Sequence, residues 1–537
     1  MQPFDSAVIS TVIENDREVF RTLANRAQLH ASKKQYEAAS AYAQLAGEYA
    51  WHNHPGLFQD DQLELMLNGI GKSIAPEYSG PRATRAGECE NVLHVLTTAY
   101  ETGGHTRLVW RWIRNDSSRR HSVVITRQAH VPLPGQLMDA VTAVGGELNV
   151  LDRTPGGFIS RAHALKAAMA KADQIILHIH PSDVIPNIAL SGLASPPPVV
   201  LMNHTEHIFW FGTHVTDLVA HLRDEGIALT IEKRGIGRAN CAVLPIPLTP
   251  PKASNRLHAK RAFGFAEDTI VLLTVASAYK YRTGGGSTFI DTLTPLLKKH
   301  EKLVLIAVGP GGPLWETASQ SVGGRIHICG EQKMLDGFYG AADVYLDSFP
   351  FGSLTAVLEA GMHQLPILRL EMFPASSASL NLTDPGLKEV MLSSTDVADY
   401  EQTLERLIED ETFRLNVGRQ TREKVLRTHT GDGWGSTLAD IYAMSKHLAT
   451  QRRSAIKPRT QVDQPADIDL WTAWLQQVSG IKCSLQTLLQ RSARSFPLNQ
   501  RLSVWWNRLS VEGRISAGTL LPESIGTNWE KRILQYR

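Results

Sequence analysis

Cysteine is scarce in this chain. Its 537 residues include four, Cys89, Cys241, Cys329 and Cys483, far apart and with no CxxC pair. That argues against a disulfide framework or a cysteine-rich zinc site and makes a reducing compartment the expectation. Long apolar runs are missing as well. No stretch of about 18 uncharged apolar residues occurs, so nothing reads as a membrane-spanning helix. The opening MQPFDSAVISTVIENDREVF meets acidic residues early and lacks the basic and apolar regions of a signal peptide. Nor is there an excess of charge: 55 Lys plus Arg against 53 Asp plus Glu leave a formal net charge of +2. Such a balance gives no global reason to expect nucleic-acid binding. The expectation is a cytoplasmic protein, at most peripheral at the inner face of a membrane.

What is present is core. The residues are 43% hydrophobic and 20% charged, which excludes wholesale disorder. The length predicts several domains. Residues 1–84 read as a helical region: HASKKQYEAASAYAQLAGEYAW places Tyr36, Ala39, Tyr42, Ala43 and Ala46 at helical spacing. The pattern resembles one tetratricopeptide-like hairpin without a second copy, and it also suits a helical cap on a larger domain. From 85 to 245, short β-branched runs (NVLHVL, HSVVITR, ELNVL, DQIILHIH, PVVLMNH) alternate with helical spacers. After the Pro-rich LPIPLTPPKAS the alternation restarts across 246–450 with TIVLLTVAS, KLVLIAVG, RIHICG and DVYLDSF. Strands alternating with helices predict parallel sheets covered on both faces. Two such halves predict an α/β protein of two Rossmann-like domains facing a cleft. Residues 451–537 form a last addition, a polar linker and then a Trp-rich helical tail.

The richest segment is DVYLDSFPFGSLTAVLEAGMHQLPIL. A strand ends at Asp347, a turn runs through Pro350 and Gly352, and a helix begins near Ser353. The backbone N–H groups of Ser353, Leu354 and Thr355 at that helix start would suit a diphosphate. Glu359, further along, suits ribose hydroxyls. The plainer alternative makes Thr355 a cap and Glu359 a solvated residue.

These residues resemble the donor-binding signature of the GT-B glycosyltransferases, particularly its FPFG-type version near the protein O-GlcNAc transferase group and bacterial relatives. The resemblance covers about residues 90–445. It implies a nucleotide-sugar-binding C-terminal domain, an acceptor-binding N-terminal domain, a donor that is a UDP-sugar, and no metal or other cofactor. After TIVLLTVAS, the segment AYKYR resembles the family's donor-site lysine, which assigns Lys280 and Arg282 to the diphosphate. There they would stabilise the departing nucleotide. Family loops like AVGPGGP and HICGEQKM approach the nucleotide, making Gly330 and Glu331 candidates for the base pocket. TTAYETGGHTR resembles the first-strand GG loop, with Gly103 and Gly104 close to the donor and His105 a phosphate contact or base.

Two histidine clusters, HIHPSD (His178, His180, Asp183) and NHTEH (His204, Glu206, His207), end strands that should meet near the cleft. HTEH is not HExxH, and the expectation is no metal. His204 falls where the family often has a histidine near the transferred sugar. His105, His204 and Glu206 are the catalytic candidates, with Asp183 an alternative base. Many retaining members carry a second glutamate where Phe351 stands here, and its absence favours inversion.

The implied reaction is transfer of a hexosyl or N-acetylhexosaminyl group to a glycan or lipid-linked acceptor. A protein acceptor, a nucleotide-sugar epimerase and a non-catalytic binding subunit are the alternatives. From residue 480 onward nine basic residues face three acidic ones, with tryptophans between. Such a tail could touch an anionic membrane surface or pack with its basic face solvated.

Overall fold

The structure, a computed structural model, describes residues 4–74, 90–101, 103–252, 255–283, 288–381, 385–451, 464–499 and 501–502. Trp505, Trp506, Trp529 and the basic residues from Arg508 onward lie outside the described residues.

Two parallel sheets organise the chain. The first holds β1 (Asn91–Leu96), β2 (Arg120–Ile125), β3 (Leu148–Val150), β4 (Gln174–His178), β5 (Val199–Asn203), β6 (Leu218–His221) and β7 (Cys241–Val243), in the order β3-β2-β1-β4-β5-β6-β7. The second holds β8 (Ile270–Val275), β9 (Leu303–Val308), β10 (Ile326–Ile328), β11 (Val344–Leu346), β12 (Ile367–Leu370) and β13 (Leu392–Ser394), in the order β10-β9-β8-β11-β12-β13. The central strands are continuous apolar runs because helices cover both faces. β4, β5 and β9 are buried at every position. The two-residue period of the strands then sorts their side chains. Leu93, Val95, Ile175, Leu177, Val199 and Leu201 join one core, and Val92, Ile176, Val200 and Met202 join another.

The N-terminal helices are built into the first of these cores. Phe20, Ala39, Ala43, Ala46 and Leu67 pack in the same cluster as Leu93 and Ile175. A Cβ on Gly47 would lie 2.7 Å from the ring of Phe211, so the helix Tyr36–His52 can approach only because that position is glycine. The helix Gly431–Thr450, which the sequence groups with the second half, packs back on the first: Trp434 donates to the carbonyl of Pro245 at 2.8 Å and Tyr442 to Asp116 at 2.9 Å. Its apolar stripe completes a core shared by both sheets.

The described part of the tail is welded down. Trp471, on the helix Asp467–Val478, stacks on Phe4 at 4.0 Å and meets Phe373 edge-on at 5.7 Å. Asp469 accepts from Lys233 at 2.8 Å and pairs with His54 at 2.9 Å. Lys482 pairs with Asp16 at 2.9 Å. Among the described residues, no helix is long and apolar enough to cross a membrane.

Strand order reverses between β1 and β4 in the first sheet and between β8 and β11 in the second. In open parallel sheets the crevice outside the strands' carboxyl ends at such a switch point is where ligands bind. The loops leaving these four strands are the GG loop, HIHPSD, AYKYR and FPFGSLT.

Candidate active-site cleft

The two switch points face each other. Gly104 opens the helix Gly104–Asn115, and Gly103 before it has φ of +100°, a conformation that favours glycine. A Cβ on Gly104 would lie 2.5 Å from Thr355 Oγ1. The GG loop of the first domain therefore touches the start of the helix Thr355–Met362 in the second. No side chain caps that helix at Leu354, which leaves its first turn to other partners.

Ser353 departs from the sequence reading. Its N–H is not available to a ligand, because it donates to Asp347 Oδ1 at 2.8 Å. The same buried carboxylate receives Arg369 Nε at 2.8 Å and the N–H of Ser348 at 2.9 Å. Asp347 thus fixes the shape of the FPFG turn from inside, and of the three N–H groups predicted to be open the one on Ser353 is taken.

Lys280 lies in the short turn Ala278–Tyr281 after β8. Its ammonium donates to the carbonyl of Gly352 at 2.7 Å and sits 5.0 Å from the ring centre of Phe351. Phe351 also meets His207 of the first domain, ring centres 5.4 Å apart. Arg282 does not join this group. Its guanidinium donates to the carbonyl of Ser479 at 3.1 Å, so it anchors the C-terminal segment and not a diphosphate. Gly330 is exposed, with φ of +58°, and its carbonyl accepts from the N–H of Gly309 at 2.7 Å. That bond ties the GPGGP loop to HICGE. Gly309 has φ of +102°, and a Cβ there would overlap the Ala276 carbonyl, so this loop lies directly on the end of β8. Glu331 is exposed beside it.

Three of the predicted histidines come together. The rings of His105 and His204 are 3.8 Å apart between centres, and His178 Nδ1 is 3.4 Å from His204 Nε2. Ring nitrogens of His105, His178 and His204 all lie within 4.8 Å of one another, close enough to share a cation. Burial, then repulsion from His180, pushes the His105 imidazole down to about 4, against a hydrogen bond with the backbone of His178. Burial also drives His178 and His204 well below the ordinary histidine range. All three rest as neutral imidazoles.

The carboxylates behave otherwise than predicted. Glu206 is only 1% exposed, and its Oε2 accepts from Arg223 Nε at 2.6 Å. Burial raises its pKa despite that partner. It cannot reach an acceptor hydroxyl; with Arg234, which donates to the carbonyls of Glu206 and Ile208, it fixes the NHTEH loop. Asp183 is likewise consumed, accepting from Thr97 at 2.6 Å, Thr126 at 2.5 Å and the N–H of Ile185 at 3.0 Å. Glu359 is largely buried and not a solvated residue. Its Oε1 accepts from Arg111 at 2.8 Å and from Arg107 at 3.3 Å.

Arg107 and Arg111 are site residues that the sequence reading missed. They stand four apart on the helix that the GG loop opens, a spacing that puts both on one face. Two arginines at that spacing, one turn past a GG loop, were the available signal. His94 and His121 were missed inside strand runs.

In sequence, the chain matches no family model and no curated protein. Solved structures do resemble it. HepE of Anabaena, determined with UDP and glucose, is 12% identical, covers 66% of this chain and 100% of its own, and superposes with a TM-score of 0.50. A glycosyltransferase of Rickettsia africae is 10% identical, covers 66% of this chain and 98% of its own, with a TM-score of 0.51. With two parallel sheets meeting at their switch points across one cleft, this chain has the GT-B fold of the glycosyltransferases.

Proposed function

We propose that the protein transfers a sugar from a UDP-sugar to a hydroxyl of a glycan or lipid-linked acceptor, without a metal and with inversion. The observation that carries this reading is the contact between Gly104 and Thr355, which brings the glycine loop of one domain to an uncapped helix start of the other, with Lys280 on the adjoining turn. A diphosphate bound beside this contact is met by backbone N–H groups, a helix dipole and an ammonium. These groups act on the charge that grows as the nucleotide departs. Glu359 Oε2 receives a ribose hydroxyl while Oε1 stays with Arg107 and Arg111. His204, with His105 beside it, takes the proton of the acceptor hydroxyl.

A panel of UDP-, GDP- and dTDP-sugars followed by thermal shift, with product analysis, tests the reading. One UDP-sugar should stabilise the chain and be turned over, and Lys280→Ala should lose both effects. No response to any donor would sink it, and interconversion of the free nucleotide sugar would make the protein an epimerase.

A protein acceptor is the second reading. It is favoured by Glu48 and Trp51 of the helix Tyr36–His52, which border the end of β4. Ser182 donates to Glu48 at 2.8 Å, and Trp51 lies 5.3 Å from His180 between ring centres. Transfer to unfolded polypeptide but not to oligosaccharide would select it.

A further inference from the structure

A row of imidazoles runs from the cleft into the first domain, across four neighbouring strands. His204 follows β5, His178 ends β4, His94 is in β1 and His121 in β2. His178 Nε2 is 3.0 Å from His94 Nδ1, and His94 Nε2 is 3.0 Å from His121 Nδ1. His121 Nε2 is 2.9 Å from the backbone carbonyl of Asp116 and 3.3 Å from its Oδ2. His94, His121 and His178 are completely buried. A parallel sheet needs only apolar side chains at such positions, and burying three imidazoles is costly unless each is hydrogen-bonded. Here each is.

The far end sets the direction of the row. A carbonyl oxygen only accepts, so His121 Nε2 carries a hydrogen. With neutral rings, His121 Nδ1 then accepts from His94 Nε2, His94 Nδ1 from His178 Nε2, and His178 Nδ1 from His204 Nε2. His204 is left with a bare lone pair on Nδ1, at the cleft. The row has one other complete arrangement, in which every ring-to-ring bond is reversed, His204 Nδ1 holds a hydrogen and His121 is an imidazolium that still donates from Nε2 to the carbonyl. The anion in contact with the row is Asp116, beside His121. Asp116 is in turn held by Arg119 at 2.7 Å and by Tyr442 at 2.9 Å, and Trp112 packs edge-on against His94 and His178. His105 faces His204 and His178 at the cleft end.

We propose that His204, His178, His94 and His121 form a proton relay that removes the acceptor's proton from the cleft and holds it beside Asp116. The proposal rests on the transfer reading above. As the acceptor oxygen bonds to the sugar's anomeric carbon and the bond to the diphosphate breaks, the acceptor's proton passes to His204 Nδ1. The His204 Nε2 hydrogen moves to His178 Nδ1, the His178 Nε2 hydrogen to His94 Nδ1, and the His94 Nε2 hydrogen to His121 Nδ1. The charge rests on His121 against Asp116, and the nucleoside diphosphate carries away the bonding pair. The reverse shift returns the proton to solvent once the products have left. His178, His94, His121 and Asp116 are thus positioning residues acting through His204.

The test uses the full chain and hydrolysis of UDP-glucose or UDP-N-acetylglucosamine, with water in the acceptor's place. Asp116→Asn keeps the shape and the backbone carbonyl but removes the anion. It should lower kcat at least about ten-fold, with the donor KM and the UDP-induced thermal shift unchanged. It should also move the acid limb of the kcat profile to lower pH, because the charged relay has lost its counter-ion. The solvent-isotope proton inventory should be curved in the wild type and linear in His94→Gln; if His94→Gln does not fold, Asp116→Asn and the wild-type inventory decide. Wild-type kcat and pH limb in Asp116→Asn overturn the relay. So does stoichiometric zinc on the purified protein that is lost in His204→Ala, which would make the row the outer shell of a metal site. A chain that binds no UDP-sugar overturns the transfer reading itself, whereas binding and turnover with unaffected variants overturn the relay alone.

Discussion

Glu359 receives the guanidinium of Arg111 at 2.8 Å across the boundary between the two sheets, with both side chains only about a tenth exposed. Arg111 follows β1 on the helix after the GG loop, and Glu359 follows β11 on the helix Thr355–Met362. A buried pair of this kind is a tie whose loss leaves an unpartnered charge. Glu359→Gln should destabilise the fold by about 1.5–3 kcal/mol. The cycle with Arg111→Met should show a coupling of about 0.5–3 kcal/mol in denaturant unfolding. Strict additivity would mean that the pair does not hold the domains together.

Lys280 and Arg282 are two residues apart in sequence but serve different parts of the molecule. Lys280 bonds the FPFG turn, and Arg282 bonds Ser479. Lys280→Ala should lower kcat by about 10²–10³-fold, the scale expected for removing one group that stabilises charge in the transition state. Arg282→Ala should act chiefly on stability, by about 1 kcal/mol, through the lost bond to the C-terminal segment. Steady-state kinetics and melting of both variants separate the two roles. Equal losses of kcat would return Arg282 to the donor site.

The closeness of Gly104 to Thr355 can be tested by filling it. Gly104→Val places its Cβ 2.5 Å from Thr355 Oγ1, too close for either atom to stay. It should raise the donor KM and cost about 1–3 kcal/mol of stability, the scale of overpacking. Thr355→Ala should recover part of that loss in the double variant. If the second substitution relieves nothing, the two loops do not meet in solution.

The buried histidines predict acid lability. Burial, with nearby arginines, depresses His221 to about 3, and burial with His180 depresses His105 to about 4; burial also lowers His94 and His178 well below 6.5. In the unfolded chain each takes up a proton near 6.5, while the folded chain binds it only at lower pH. The unfolded state therefore binds more protons as pH falls below 6.5. The stability these groups contribute is fully present above that value and is lost on the way down to their folded values. Each such group costs about 1.4 kcal/mol per pH unit in that window. Melting temperature should fall steeply between neutral and mildly acidic pH, and less steeply in His221→Asn. A flat profile would mean that these rings are charged or solvated in the native state.

Local sequence determined a good deal. Continuous apolar runs separated by helical spacers dictate parallel strands covered on both faces, because only a strand buried on both sides can be apolar at every position. The glycine loop, AYKYR and FPFGSLT stood out in the sequence because close backbone approach and an open helix start demand particular residue types, and the fold brings all three to the two switch points. The fates of the charged side chains were not legible. Glu206, Asp183 and Glu359 are acceptors that any nearby donor can claim. Whether a carboxylate meets a substrate or an arginine depends on which elements the topology sets opposite it, here Arg223, Thr97 with Thr126, and Arg111. The histidine row is the extreme case. Its members are up to 110 residues apart, at 94, 121, 178 and 204. They line up only because the strand order β2-β1-β4-β5 places consecutive strands side by side with these positions on one face. Sequence fixes what each residue can do through its own chemistry and its immediate neighbours. Partnership across a sheet or between two domains is a matter of distance in space, which only the folded chain sets.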